Sequence, residues 1–571
     1  LGGDLIIESS FNRTTQIGDD AITVALDGAK LRDSDIANIT DGWNSILFTH
    51  AGPNGEVIID AGGASLTFSD AVTFNATDGI TLNSDLIGTD NASFTFTGGT
   101  DLVDINADID TSGGVGGNFI DFNTVDAIEL DGDLTTNNGD IDFGAAVNVT
   151  TAAARTIDAQ TGTISFADTF FGSAFGTTFV ADDYAFTGDV STLGNGNLSF
   201  GLVSSGRTFG LGTGAIGDVV FDDTTLALLK GGPGPQSNLT FRTTDGDMDV
   251  RTISGAAETD AKAVYFNAGM GTISIDAIGA PTETRNVFFT ADNFIINNLI
   301  DGTGNLQFRN ATRFRSMGIG DGTAGDNFIS SAMLDNIGSD WSKISFFSAD
   351  GELELADYAW NSDLQFDSGL YEFDIIEALD FGANNVTLGS RNYINIDYTI
   401  SGTGNLEFFE VGNSAESIML GDDAIAAWAA PTTMKISDNS LSNIADGWNS
   451  ILFRAGGNVG SQLNIDTALA SFEFKDDVTF RNSRDLSLNS NIGVATGSNA
   501  SITFDGNGVV ANTFNLNGNI DLSNGDGTGT ISFMDIDTLN YAGNIISNGT
   551  DIVIDNTINN FNLIGNTTLN A

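Results

Sequence analysis

Asp182-Asp183 and Asp222-Asp223 are adjacent carboxylate pairs, and a pair of carboxyl groups is what glycoside hydrolysis uses as acid and base. Arg251 or Arg285, brought alongside on a neighbouring coil, would add the cation that a polysaccharide lyase needs. A chain with 76 acidic residues in 571 produces such pairs by chance, so a solvated acidic face is the reading that composition favours. Asp101, Asp104, Asp108 and Asp110 crowd one short stretch and offer the hard oxygen ligands that Ca²⁺ takes. The calcium-loading nonapeptide Gly-Gly-x-Gly-x-Asp does not recur, and no EF-hand loop is present. These four aspartates are the metal candidates, Ca²⁺ the metal they would suit, and no other cofactor is expected.

Other chemistry is thin. Gly212-Thr213-Gly214-Ala215-Ile216-Gly217 and Gly320-Asp321-Gly322-Thr323-Ala324-Gly325 satisfy the Gly-x-Gly-x-x-Gly pattern of dinucleotide binding, but neither sits in a strand-helix-strand unit, so both read as turns. The single histidine, His50, cannot build a multi-histidine metal centre. Without cysteine there is no thiolate nucleophile, and no Gly-x-Ser-x-Gly elbow occurs. Asn-x-Ser/Thr sequons at Asn75, Asn148, Asn238 and Asn385 are what an Asn- and Thr-rich chain contains by chance. No catalytic residues are assigned, and the chain is read as a non-enzyme.

Twenty basic against 76 acidic residues give a formal charge of −56, spread along the whole chain. That field excludes nucleic acid as a partner and disfavours an anionic membrane surface. No apolar run approaches the roughly 18 to 20 residues of a membrane span, so no membrane insertion is expected. A disordered acidic chain is set aside because 41% of residues are hydrophobic and 41 phenylalanines occupy patterned positions. The start at Leu1-Gly2-Gly3 and the stop at Asn570-Ala571 suit a mature product or a piece of a longer protein.

The elements that carry these residues are short strands. A tetrad x-[Ile/Leu/Phe]-x-Phe recurs, ending on Phe68, Phe96, Phe143, Phe166, Phe200, Phe308, Phe408, Phe504 and Phe533, among others. Side chains alternate faces along a strand, so each aliphatic residue and its Phe point into a core, and Asp142, Ser165, Gln307 and Glu407 point to solvent. Neighbouring tetrads often stand about 20 to 30 residues apart, the length of one coil of a parallel β-helix with three short strands. Gly302-Thr303-Gly304, Gly402-Thr403-Gly404 and Gly527-Thr528-Gly529 precede tetrads, and Leu-Asn/Asp-Gly/Ser-Asn/Asp turns start at Leu82, Leu130, Leu488 and Leu516. These residue types tolerate positive φ in tight turns.

A longer repeat overlies the coils. Asp41-Gly42-Trp43-Asn44-Ser45-Ile46-Leu47-Phe48 returns unchanged at Asp446 to Phe453, an offset of 446 − 41 = 405. Ile17-Gly18-Asp19-Asp20, Leu211-Gly212-Thr213-Gly214, Ile319-Gly320-Asp321-Gly322 and Leu420-Gly421-Asp422-Asp423 each open a segment. Their glycines are 320 − 212 = 108 and 421 − 320 = 101 residues apart, which suggests quasi-modules 1-110, 111-205, 206-315, 316-415 and 416-571. Segments Asp33 to Ile39, Leu334 to Ile337 and Asp438 to Ile444 read as single polar-capped helical turns. Trp43, Trp341 and Trp448 follow, each three residues before an inward aliphatic position, as plugs closing the excursion or, alternatively, as ligand-stacking platforms.

The fold class expected is therefore all-β, a single-stranded right-handed parallel β-helix over 1-571 as one continuous solenoid. The Ile/Leu-Gly-Asp-Asp/Gly openings, the Asp-Gly-Trp-Asn-Ser-Ile-Leu-Phe segments and the Gly-x-Ile/Leu-x-Phe coils resemble the repeat region of filamentous-haemagglutinin-like exoproteins. That resemblance implies export to the surface of a Gram-negative bacterium or cyanobacterium, and adhesion or matrix formation. Partners would be other cells, surfaces, matrix carbohydrate or protein, with end-to-end self-association as a further possibility. The family's N-terminal Asn-Pro-Asn type secretion motifs are not here, since none of Pro53, Pro233, Pro235, Pro281 and Pro431 completes one, and no C-terminal membrane barrel is evident. A β-helix carbohydrate-active enzyme, lyase or glycoside hydrolase, is the alternative.

Overall fold

A computed structural model describes all residues except 1, 10–13, 24–27, 51, 53–54, 100, 231–236, 252–261, 279–284, 357, 411–416, 428–432, 457–460, 508–511, 556–557, 565–566 and 571. All five prolines lie outside the described residues. The chain is 48% strand and 5% helix, wound as a right-handed-type parallel β-solenoid of about 21 turns with about 23 residues per coil. Two compact units, Leu1–Thr290 and Ala291–Ala571, divide it, and the boundary falls inside the strand Asn286–Ile296, within the quasi-module 206-315. No helix among the described residues is long and apolar enough to cross a membrane.

In the first unit each regular coil contributes one strand to each of three parallel sheets. One sheet runs through Ser45–His50, Val72–Asn75, Phe94–Thr97, Asn118–Phe122, Asn138–Phe143 and Thr163–Phe166. The second runs through Val57–Ile59, Ile80–Leu82, Leu102–Ile105 and Ala127–Leu130, the third through Leu66–Phe68, Leu86–Asp90 and Ile109–Gly114. Strands this short cannot hold themselves; the coils above and below supply their hydrogen bonds and cover their apolar faces. In the second unit the same logic gives a ladder through Asn405–Glu410, Ser450–Arg454, Val478–Arg481, Ile502–Asp505 and Ile531–Met534.

Period-two alternation fills the core. Phe68, Phe96, Phe143, Phe166, Phe200, Phe308, Phe408, Phe504 and Phe533 are all buried. In-register strands place ring on ring: Phe96 and Phe122 stack at 5.0 Å, Phe122 and Phe143 at 5.3 Å, Phe143 and Phe166 at 4.9 Å. The second unit repeats this with Phe408 and Phe453 at 5.0 Å and Phe504 and Phe533 at 5.4 Å. Each stacked pair adds about 0.5 to 1.5 kcal/mol beyond the area it buries.

Three sequence expectations need correction. The tetrad does not mark one sheet: Phe68 meets Phe48 and Phe74 edge-on from the third sheet, and Phe200 stacks on Phe179 and Phe241, so the aromatic column changes sheets between Phe166 and Phe200. Each coil has three apolar faces, and a Phe suits any of them. Second, Asp142, Ser165, Gln307 and Glu407 are half-buried rather than exposed. Outward side chains one strand spacing of about 4.8 Å apart cover one another's flanks. Third, Gly132 and Gly518 do not supply positive φ; a β-carbon there would lie 1.9 Å from the carbonyl oxygen of Ala107 and 1.8 Å from that of Ser490. Close approach of stacked backbones is what demands glycine at these corners.

The four glycine openings do mark four equivalent excursions. Gly18, Gly212, Gly320 and Gly421 all have positive φ, between 88° and 104°. Each follows a coil strand and turns the chain back so that a second short strand pairs parallel beside the first: Lys30–Leu31 beside Thr15–Ile17, Val219–Phe221 beside Phe209–Leu211, Asn327–Ile329 beside Met317–Ile319 and Met434–Ile436 beside Ile418–Leu420. A capped helical turn follows: Asp33–Ile36, Asp223–Leu226, Ser331–Leu334 and Asp438–Ser442, burying Ile36, Leu226, Leu334 and Leu441. The third turn therefore lies just before the expected Leu334 to Ile337, with Ser330 as its cap. The second occupies the expected carboxylate pair, where Asp222 accepts the Thr225 N–H at 2.8 Å as an N-cap.

Trp341 and Trp448 are buried, whereas Trp43 is half-buried. Trp341 donates its indole N–H to the Ile300 carbonyl at 3.2 Å, and its excursion is tied down by Ile300 and Asn336, whose Nδ2 donates to the Ile296 carbonyl at 3.0 Å.

Candidate functional site

The four candidate calcium ligands do not converge. Asp104 accepts from Asn106 Nδ2 at 3.0 Å, and Asp110 from the Ser112 N–H at 2.7 Å. Asp108 belongs to a vertical run in which each carboxylate takes the backbone N–H of the equivalent residue one coil on. Asp85 accepts from Asp108 at 3.1 Å, Asp108 from Asp133 at 2.8 Å and Asp133 from Thr156 at 2.9 Å. A strand's first N–H has no neighbour in its own turn, and this column satisfies it with a charge-assisted bond. Asparagine does the same work in the second unit, where Asn491 accepts from Asn519 at 2.9 Å and Asn519 from Asn544 at 2.8 Å. Asp104 and Asp110 lie within the strands Leu102–Ile105 and Ile109–Gly114 and Asp108 just before the second, each with a carboxylate oxygen engaged.

The other candidates are equally structural. Asp182 accepts the N–H groups of Val203 at 3.0 Å and Ser204 at 2.9 Å, and Asp183 that of Tyr184 at 2.9 Å. Arg251 pairs with Asp249 at 2.8 Å and Asp276 at 3.3 Å. Arg285 immediately precedes the strand Asn286–Ile296. His50 is buried, its Nδ1 accepting the Gly52 N–H at 2.9 Å. The glycines of both Gly-x-Gly-x-x-Gly stretches open excursions, with positive φ at Gly212, Gly214, Gly320 and Gly322.

The structure gathers a different set. In the second unit the strands Asn305–Arg309, Lys343–Phe347 and Asp363–Asp367 lie in register, so Arg309, Phe347 and Asp367 follow one another up the outer face at the strand ends. Arg391, just past the strand Val386–Ser390, comes alongside. With Asp350 and Gly369 these residues line a cavity of about 370 Å³. Asp367 is 6% exposed, and its carboxylate accepts the Gly369 N–H at 2.7 Å. Burial pushes its carboxyl up to about 6, against the opposing pull of that N–H and of Arg391 and Arg309 nearby.

The guanidinium groups are not equivalent. Arg313 pairs with Asp350 at 2.7 Å and lies over the Phe314 ring at 4.7 Å. Arg309 and Arg391 act instead on the buried Asp367 carboxylate, whose charged form both favour, and Arg391 Nε is buried. Phe314 and Tyr371, both exposed, meet edge-on at 5.9 Å on the same stack of turns, where Phe314 donates its N–H to the Ala349 carbonyl.

A second acidic group sits on the neighbouring sheet. Glu352, Glu354 and Asp374 bring one carboxylate oxygen each within 4.8 Å of one another, the only such group of three among the described residues. Glu354 and Asp374 are register partners on adjacent strands. Desolvation, then hydrogen bonding with Asp374 and the charges of Asp374, Glu354 and Glu372, push Glu352 up to about 7.

No family model matches the chain, and neither does any curated protein or solved structure.

Proposed function

We propose that this β-solenoid is a non-enzymatic structural and adhesive element, the shaft of a bacterial surface adhesin or a subunit of an extracellular filament. The supporting observation is that core and surface repeat together. Aromatic columns run inside while Asp and Asn columns run outside, each spending its polar groups on holding the next coil. A surface so employed suits display and span better than turnover. The filamentous-haemagglutinin-like patterning of the sequence and the absence of cysteine fit an exported protein of a Gram-negative bacterium or cyanobacterium.

Electron microscopy of purified protein, paired with attachment of cells to coated surfaces, tests this reading. Elongated particles that support attachment or form fibres are expected; compact particles that bind no cells and form no fibres, with and without Ca²⁺, would remove its basis. A second reading, a carbohydrate-active enzyme, draws on the Arg309, Asp367 and Arg391 cavity. Turnover of an oligosaccharide that Asp367→Asn abolishes would favour it.

A further inference from the structure

We infer that the cavity between Arg309 and Arg391 binds a uronate sugar, with the sugar's carboxylate held by the two guanidinium groups and its ring laid against Phe347. The inference gives the adhesive reading a ligand class and rests on that reading for its role, while the binding itself is measurable without it.

The first support is an imbalance. In a chain with 76 acidic and 20 basic residues, Arg155, Arg454 and Arg481 each pair with a single carboxylate, of Asp133, Glu407 and Asp505. Arg309 and Arg391 bring two guanidinium groups to one cavity in which Asp367 is the buried carboxylate they act on, the other lining carboxylate, Asp350, being taken by Arg313. Two guanidinium groups against one free carboxylate leave the pocket a surplus of positive charge, which an incoming carboxylate meets through charge-assisted hydrogen bonds.

The second is the mixture of groups. Arg309, Arg313 and Arg391 against Asp350 and Asp367 leave the immediate surroundings cationic, while the two carboxylates remain acceptors for hydroxyl groups. A bare inorganic anion would use only the donors. A hydroxylated carboxylic acid uses both. Phe347, between Arg309 and Asp367 in register, supplies an apolar floor for the C–H face of a pyranose ring, and a volume of about 370 Å³ accommodates one or two sugar residues.

The third is the field of the whole chain. At −56 the protein repels a densely charged polyanion, so an isolated or terminal uronate reaches the cavity more readily than a sulfated polymer.

Titration calorimetry on the full chain with glucuronic acid and a glucuronate-terminated disaccharide tests the inference, with glucose and sodium sulfate as controls. Saturable uronate binding is expected, stronger for the disaccharide, undetectable for glucose and weaker by about tenfold for sulfate. Arg309→Gln and Arg391→Gln should each weaken it by about tenfold or more. Phe347→Leu should weaken uronate and leave sulfate unchanged, and circular dichroism identical to the parent shows that each variant is folded. No uronate binding by the parent, sulfate binding as tight as uronate, or uronate binding indifferent to both arginine substitutions would each overturn it. Sugar binding without cell attachment would sink the adhesive role while leaving the site; attachment without sugar binding would do the reverse.

Discussion

The six-membered ring of Trp448 occupies the space into which a side chain on Gly402 would project: a β-carbon there would stand 2.7 Å from Cη2 of the indole. Trp341 and Gly302 repeat the relationship at 2.5 Å. Two of the three Gly-Thr-Gly stretches thus owe their first glycine to a tryptophan some forty residues later, and neither Gly302 nor Gly402 has positive φ. Gly402→Ala should cost roughly 1 to 3 kcal/mol, because a packed indole cannot retreat without opening a void. Urea denaturation followed by tryptophan fluorescence measures this, and an unchanged midpoint would show that the indole moves freely.

Removing a ring from the aromatic column should cost more. Phe408→Ala leaves a cavity beneath Phe453, stacked on it at 5.0 Å, and about 3 to 5 kcal/mol is expected. Its neighbour Glu407 faces outward in an ion pair with Arg454, so Glu407→Ala should lose under about 1 kcal/mol. Equal losses for the two variants would contradict the face assignment.

The Asp column makes a chemical distinction. Asp108→Asn keeps an acceptor for the Asp133 N–H and should be nearly neutral, whereas Asp108→Ala strands that donor and should cost about 0.5 to 1.5 kcal/mol. Were Asp108 a metal ligand, the asparagine variant would suffer as well, with a loss that depends on added Ca²⁺. Thermal unfolding of both variants with and without Ca²⁺ decides between the roles.

Stability should fall as pH rises from about 4 to about 7. The folded-state values of Asp367, about 6, and Glu352, about 7, lie above the ordinary carboxylate range. The folded chain therefore holds protons that the unfolded chain has released, a stabilisation present at low pH and lost as pH climbs through those folded values. Glu56, Asp121 and Asp158 are raised as well, chiefly by burial. A melting temperature higher at pH 5 than at pH 7.5 is expected, with the gap narrowed in Glu352→Gln; a higher melting temperature at pH 7.5 would refute the assignment.

Coil architecture was legible because period-two alternation and a Phe every coil are local signals, readable within four residues of Asn405-Leu406-Glu407-Phe408. Which sheet a given Phe joins was not, since that depends on where the corners fall. The cavity was hidden for a related reason. Arg309 and Asp367 are 367 − 309 = 58 residues apart, one interval swollen by the excursion through Ser331–Leu334, so spacing alone does not align them. Asp101 to Asp110 misled in the opposite sense, because nearness along a strand and around a corner sends side chains in divergent directions.

The excursions at Gly320 and Gly421 also have a mechanical meaning. Met434–Ile436 is paired to Ile418–Leu420 on one side, while the Lys435 N–H reaches the Asn392 carbonyl of an earlier turn on the other, and Ala445 bonds back to Ile400. Ordinary neighbouring turns can be peeled apart one ladder at a time. Here a single stretch of chain is sewn into two levels, so that tension must free the strand, the helical turn and the tryptophan together. Unravelling under load should therefore advance in small slips between these stitches and pause at each one.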